Sequence, residues 1–228
     1  MENIYKTKEW KSLEEVDRAQ LLLVIEGLKR GTIIGGNYTS FMNILKKTGL
    51  DYKLTSDKLR LDPVAIVAKK EDLAEATHKY LTLPKYSAGV GFHEVTGWLL
   101  GYPECCTKEY VKERTPEQKI AQKNGQRHLG YRFGQELDSK IKSEGSYPDI
   151  FDYRPPSFTP CSINCPEATK VLSSWKDAVE TLDPEAAKEL VYFNRSDYPE
   201  GLAHGKYLEV EKSRRGLEAR LRALRRYS

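Results

Sequence analysis

The stretch FHEVTGWLLGYPECCTKEYVKER, residues 92–114, reads as two short helices that cannot be one. Apolar residues recur at helical spacing on either side of Gly101-Tyr102-Pro103, and a glycine followed closely by a proline marks a helix end. The second helix begins with Cys105 and Cys106. The other two cysteines of the chain, Cys161 and Cys165, lie together in TPCSINCPEA, residues 159–168, just before a second proline-led helix. All the sulfur of the cysteines is therefore spent in two tight pairs, each at a helix start.

At 228 residues the chain is long enough to build a core without covalent staples. The opening MENIYKTKEWKSLEE has no apolar leader-like run, and the longest apolar run, LLLVI at residues 21–25, is far too short for a bilayer. A cytoplasmic protein with no membrane role is expected. In a reducing compartment paired cysteines more often ligate metal or do thiol chemistry than form disulfides.

N-terminal to the central stretch the pattern is mixed. SLEE at residues 12–15 reads as a capping box, followed by Leu13, Val16, Leu23, Val24 and Leu28 at helical spacing, with Gly31 closing the helix. GTIIGGNY reads as a glycine-rich turn, and residues 40–47 as a helix ending at Gly49. DYKLTSDKLRL alternates like a hairpin, and PVAIVAKKEDLAEATHKYL reads as a buried strand, a short loop and an amphipathic helix. C-terminal to the stretch, residues 115–141 are polar and helical but interrupted by Gly125, Gly130 and Gly134. Residues 143–166 read as a long loop rich in proline and aromatics, and two more helices follow. The expected fold is α+β and mainly helical: a small mixed α/β unit over 1–85, a helical cysteine-bearing region over 86–204, and a basic helix over 205–228, all three able to form one compact domain.

Proline at the first helical position places Cys105 and Cys106 in a first turn and Cys165 at or beside an N-cap. Free amides and the positive end of the helix dipole favour a thiolate there. Two converging pairs would make a four-thiolate site of Cys105, Cys106, Cys161 and Cys165, for zinc or an Fe–S cluster. Adjacent helical cysteines point about 100° apart, so one of them facing the core is the competing arrangement. A metal-free thiol or redox site, and buried inert cysteines or a disulfide, also remain open.

HEVTGWLLGYPECC followed by PCSINC resembles a largely archaeal family known as domain of unknown function 483, over residues 93 to about 168. The resemblance implies that His93, Gly97, Cys105, Cys106, Cys161 and Cys165 belong to one site. It brings no established activity, so whether the chain is an enzyme stays open.

As candidates for catalysis the residues offer His93, Cys106 and Arg154. A neutral imidazole at His93 would serve as a fifth ligand or a base beside a thiolate, with Gly97 clearing space above its ring; a half-buried histidine at a helix start is the plainer alternative. His78, His128 and His204 read as surface residues. HEVTG is not a zinc-protease signature, because Gly97 replaces the second histidine. The loop residues Tyr147, Asp149, Asp152, Tyr153, Arg154 and Phe158 would line a pocket, or simply anchor the loop through its aromatics. No glycine-rich segment meets the pattern of a nucleotide-binding loop.

Charge divides the chain. Residues 205–228 carry eight Lys/Arg against three Asp/Glu, whereas the other 204 residues carry 29 against 30. Arg214, Arg215, Arg220, Arg222, Arg225 and Arg226 suit phosphate contacts, which makes an RNA- or DNA-associated protein with structural cysteines the main alternative function. Oligomeric state and reaction are not legible.

Overall fold

The computed structural model describes residues 3–35, 39–56, 63–83, 90–113, 115, 129–145, 148–154 and 158–196. Its one described sheet is built around PVAIVAK. Strands β1 (Gly31–Gly35), β2 (Leu50–Ser56) and β3 (Pro63–Lys69) pair antiparallel in the order β1-β3-β2, with Ile33 opposite Ile66 and Tyr52 opposite Val67. The central position follows from composition: Val64, Ala65, Ile66, Val67 and Ala68 are all buried, and only a strand covered on both faces can be apolar throughout. The period of two sends Ile66 to one cluster with Ala76, Tyr80, Phe92 and Leu99, while Ala65 and Val67 join the larger core.

The helices are α1 (Lys8–Lys11), α2 (Glu15–Ile25), α3 (Thr39–Thr48), α4 (Lys70–Leu81), α5 (Val90–Leu99), α6 (Glu104–Lys112), α7 (Leu129–Glu144), α8 (Pro166–Leu182) and α9 (Pro184–Ser196). Helix α2 is buried on all sides through Leu21, Leu22, Leu23 and Val24, and packs on α8, α9 and β1. A buried ion pair locks this packing. Arg18 Nε lies 3.1 Å from Asp183 Oδ2, which also accepts a 2.6 Å hydrogen bond from Trp10 Nε1. Asp183 Oδ1 meanwhile caps α9 through the Ala186 amide, 3.2 Å away. The fold is mainly helical α+β, as its sequence patterning indicates.

Local readings needed correction where a competing signal won. Ser12 is not the cap of α2: it closes α1, its hydroxyl donating to the Glu9 carbonyl, and Glu14 is the N-cap. Helix α2 ends at Gly27, not Gly31. Gly27 takes φ +73°, with Leu28 N donating to Leu23 O and Gly27 N to Val24 O, the paired bonds of a glycine C-cap. That frees Gly31 to start β1, so GTIIG is a strand rather than a turn. There is no loop between β3 and α4; Lys69 is itself the N-cap. The observed partner of β2 is β3, whereas the expected second arm of the hairpin, around residues 57–62, lies outside the described residues. Helix α7 runs through Gly130 and Gly134 without a break. Residues 149–153 form a 3-10 turn inside the long loop, buried at Phe151, Asp152 and Tyr153. Asn194 of α9 pins that turn, its Nδ2 donating to Asp152 O at 2.7 Å and Arg154 O at 2.8 Å.

Candidate metal centre

The site is made by two helix starts. Helix α5 ends in the same glycine motif as α2: Gly101 takes φ +71°, Tyr102 N donates to Gly97 O and Gly101 N to Trp98 O. A Cβ on Gly101 would sit 3.2 Å from the Leu28 carbonyl, so the turn is seated against the end of α2. Pro103 is the N-cap of α6 rather than its first residue, which places Cys105 and Cys106 at the second and third helical positions. Cys165 is the N-cap of α8, with Pro166 at the first position.

These starts bring all four sulfurs together. Cys105 Sγ lies 3.9 Å from Cys106 Sγ and 3.6 Å from Cys165 Sγ, and Cys106 Sγ lies 3.7 Å from both Cys161 Sγ and Cys165 Sγ. All four fall within 4.8 Å of one another, a set that can hold a metal ion. Of the adjacent pair Cys106 does face the core, yet its sulfur still joins the set: Cys106 and Cys165 are buried in the main core, Cys161 is half-buried against it and Cys105 is exposed. Backbone amides complete the surroundings. Cys161 N donates to Cys106 Sγ and Ala168 N to Cys165 Sγ, each at 3.4 Å. Such donors orient and charge-balance ligand sulfurs.

The thiols do not all ionise easily. Burial pushes Cys106 far up and Cys161 up to about 11, each reinforced by the neighbouring sulfurs. Burial opposes ionisation of Cys165 too, but the Ala168 amide and hydrogen bonds from the other thiols outweigh it and hold Cys165 below the ordinary thiol range. Of these three thiols Cys165 is the most readily ionised.

His93 is not among the side chains whose ligand atoms gather at the cluster. Its ring stands edge-on to Phe92 (5.2 Å) and Tyr110 (4.9 Å), on the wall of a cavity of about 290 Å³ that Cys106 also lines. Gly97 clears space for Thr107 of α6 rather than for the His93 ring: a Cβ there would come within 2.4 Å of Thr107 Oγ1. Of the loop residues singled out from sequence, Phe158 lines this cavity and stacks on Tyr102 at 4.6 Å. Arg154 instead ties the loop to itself, donating to Phe158 O at 3.1 Å, and Tyr153 donates to Glu180 Oε1. Asp149 is exposed, Asp152 is buried in the pinned turn, and Tyr147 lies outside the described residues. His78 is exposed on α4; His128, His204 and the six C-terminal arginines lie outside the described residues.

Sequence reasoning passed over Thr96, Thr107, Tyr110 and Thr159, which also line the cavity. Their signal was present as spacing: residues 92, 93 and 96 on α5, and 106, 107 and 110 on α6, each share a helix face.

Among the described residues no helix is long and apolar enough to cross a membrane. No solved structure matches the chain. An uncharacterized protein of Methanocaldococcus jannaschii, MJ1106, is 34% identical over 74 residues, which is 32% of this chain and 34% of the relative; the chain thus matches about a third of that protein's length. The family described as "Protein of unknown function (DUF483)" matches residues 82–184, a span that contains α5, α6, the pinned turn, α8 and all four cysteines. Over residues 82–184, less than half of its length, the chain is similar to the DUF483 family.

Proposed function

We propose that the chain is a zinc-binding protein in which Cys105, Cys106, Cys161 and Cys165 hold one ion as a tetrahedral four-thiolate site. The carrying observation is the sulfur spacing. A Zn–S bond of about 2.3 Å in a regular tetrahedron separates sulfurs by about 3.8 Å, and four pairs here lie at 3.6–3.9 Å. A multi-iron cluster carries its thiolates on different iron atoms and needs them further apart. Four protein ligands leave no open position, which suits a structural ion rather than one that activates water. Its role is to clamp the start of α6 to the start of α8, fixing the cavity wall that Cys106 shares.

The test is metal analysis with an absorption spectrum on protein purified without oxygen. The expected result is colourless protein with one zinc per chain, lost in Cys106→Ser and Cys161→Ser. Brown protein with iron and sulfide would replace this reading with an Fe–S one. Absence of metal with four titratable thiols would replace it with a thiol-redox site centred on Cys165.

The concentration of basic residues in 205–228 supports a second, separable role in binding RNA or DNA. Full-length protein with Arg220, Arg222, Arg225 and Arg226 changed to glutamine should then lose salt-dependent polynucleotide binding while keeping its zinc. Unchanged binding would sink that role.

A further inference from the structure

The four sulfurs are not equally placed to meet a reagent from solution. Cys105 is exposed, Cys161 is half-buried, and Cys106 and Cys165 are buried. The amide donors that the described residues supply go to Cys106 and Cys165, not to Cys105. Such a donor draws charge from a ligated thiolate and blunts its attack. An accessible sulfur beside a second cysteine is the kind that hydroperoxides oxidise.

Geometry selects the partner. Cys106 is adjacent in sequence, but consecutive Cα atoms lie about 3.8 Å apart, short of the roughly 4.4–6.8 Å that disulfides span. Joining Cys105 to Cys106 would also unwind the first turn of α6. Cys165 stands 60 positions away at the start of another helix, and its Sγ is 3.6 Å from that of Cys105. A disulfide of about 2.05 Å between these two would tie the start of α6 to the start of α8, the elements that the ion clamps. Cys106 and Cys161, with sulfurs 3.7 Å apart, are left over.

We infer that Cys105 is an oxidation site for hydroperoxides, that Cys165 is its resolving partner, and that the disulfide they form discharges the ion. The inference rests on the zinc reading for the ion that leaves. The Cys105 sulfur attacks one peroxide oxygen: an S–O bond forms, the O–O bond breaks, and hydroxide departs and takes a proton from solvent. The Cys165 thiolate then attacks the Cys105 sulfur: an S–S bond forms, the S–O bond breaks, and a second hydroxide leaves as water. The two sulfurs have lost two electrons and the peroxide has gained them. Cys106 and Cys161 alone cannot supply the four ligands of a closed zinc site, so the ion is lost while the disulfide holds the two helix starts together.

Titration of the full-length protein, purified without oxygen, with hydrogen peroxide tests this. A chromophoric indicator reads free zinc, and alkylation followed by peptide mass mapping reads the state of each cysteine. One equivalent of peroxide should release the zinc, halve the count of free thiols and give Cys105–Cys165 as the first disulfide. Dithiothreitol with added zinc should restore both thiols and metal. Zinc retained while thiols are consumed, Cys105 oxidised without a partner, or a first disulfide of any other pairing would each overturn the inference. Zinc content before peroxide keeps the two readings apart. A chain that holds none refutes the metal reading and the discharge with it, whereas a loaded chain that gives any of those three results refutes the inference alone.

Discussion

Replacing Gly97 with alanine places one methyl group where α5 meets α6. The added Cβ would lie 2.4 Å from Thr107 Oγ1, 2.7 Å from Thr107 Cγ2 and 3.1 Å from Thr107 Cβ, against an ordinary carbon contact of about 3.5–4.0 Å. Turning Thr107 about χ1 exchanges one crowding branch for the other and leaves its Cβ where the backbone holds it. Helix α6 must therefore yield at its first turn, which carries Cys105 and Cys106. Overpacking of this kind costs about 1–3 kcal/mol, whereas alanine in place of glycine inside a helix returns about 1 kcal/mol. Because the closest contacts are to a short branched side chain, the upper part of the range applies and the net loss is about 1–2 kcal/mol. For a chain of this length each kcal/mol moves the midpoint by about 2–4 °C, so Gly97→Ala should melt about 2–8 °C lower. Gly134→Ala is the matched control. It lies inside α7 with no described atom within reach of a Cβ, and should gain up to about 1 kcal/mol. Circular-dichroism melts of both variants, each as purified, decide the matter. A Gly97→Ala protein melting at or above the parent would show that α5 and α6 are not in the contact described.

Three further outcomes are expected. Asp183→Ala removes the partner of buried Arg18, the acceptor of Trp10 Nε1 and the cap of α9 at once; denaturant titration should show a loss of about 3–5 kcal/mol, and a loss under 1 kcal/mol would refute the network. Burial lowers Lys29 to about 7 from the ordinary 10.5, although its ammonium lies over the Trp175 ring and donates to Gln20. Between pH 7 and 10 the unfolded chain then holds a proton the folded one lacks, so stability rises with pH by at most about 1.4 kcal/mol per unit relative to Lys29→Met; parallel curves for the two proteins would exclude it. On the proposed four-thiolate site, zinc would have to displace the protons of Cys106 and Cys161, whose ionisation burial opposes. Competition with a chromophoric chelator should accordingly show affinity falling at least about a hundredfold per unit as pH drops from 8 to 6, a factor of ten for each proton displaced, and a pH-independent affinity would mean that these thiols are not ligands.

Much of the organisation was legible along the chain because it depends on neighbours in sequence. PVAIVAK reads as a buried strand from its unbroken apolar run, rich in β-branched residues, and Gly101-Tyr102-Pro103 separates two helices whatever they pack against. Cys165 precedes a proline that suits only a first helical position, so its N-cap placement follows from local chemistry. Misreadings came where two local signals competed. Gly31 reads in the sequence as the end of α2, but the helix closes four residues earlier at Gly27, and the pairing of Gly31 with Ala68 across the sheet makes Gly31 a strand residue. Ser12 had the spacing of a cap, but the turn before it had already claimed it.

What the sequence determined alone is the inventory and its helical phase: two sulfur pairs at two helix starts, a central apolar strand, and charge gathered at one end. What only the tertiary structure decided is which residues meet. Cys106 reaches Cys165 across 59 positions, and His93 turns to Tyr110 and the cavity rather than to the sulfurs. Thr96 and Thr107, unremarkable in the sequence, both line that cavity. Local rules place a side chain on a face of its own helix; the partner that face finds depends on how α2, α5, α6 and α8 pack, and no spacing within a single helix encodes that.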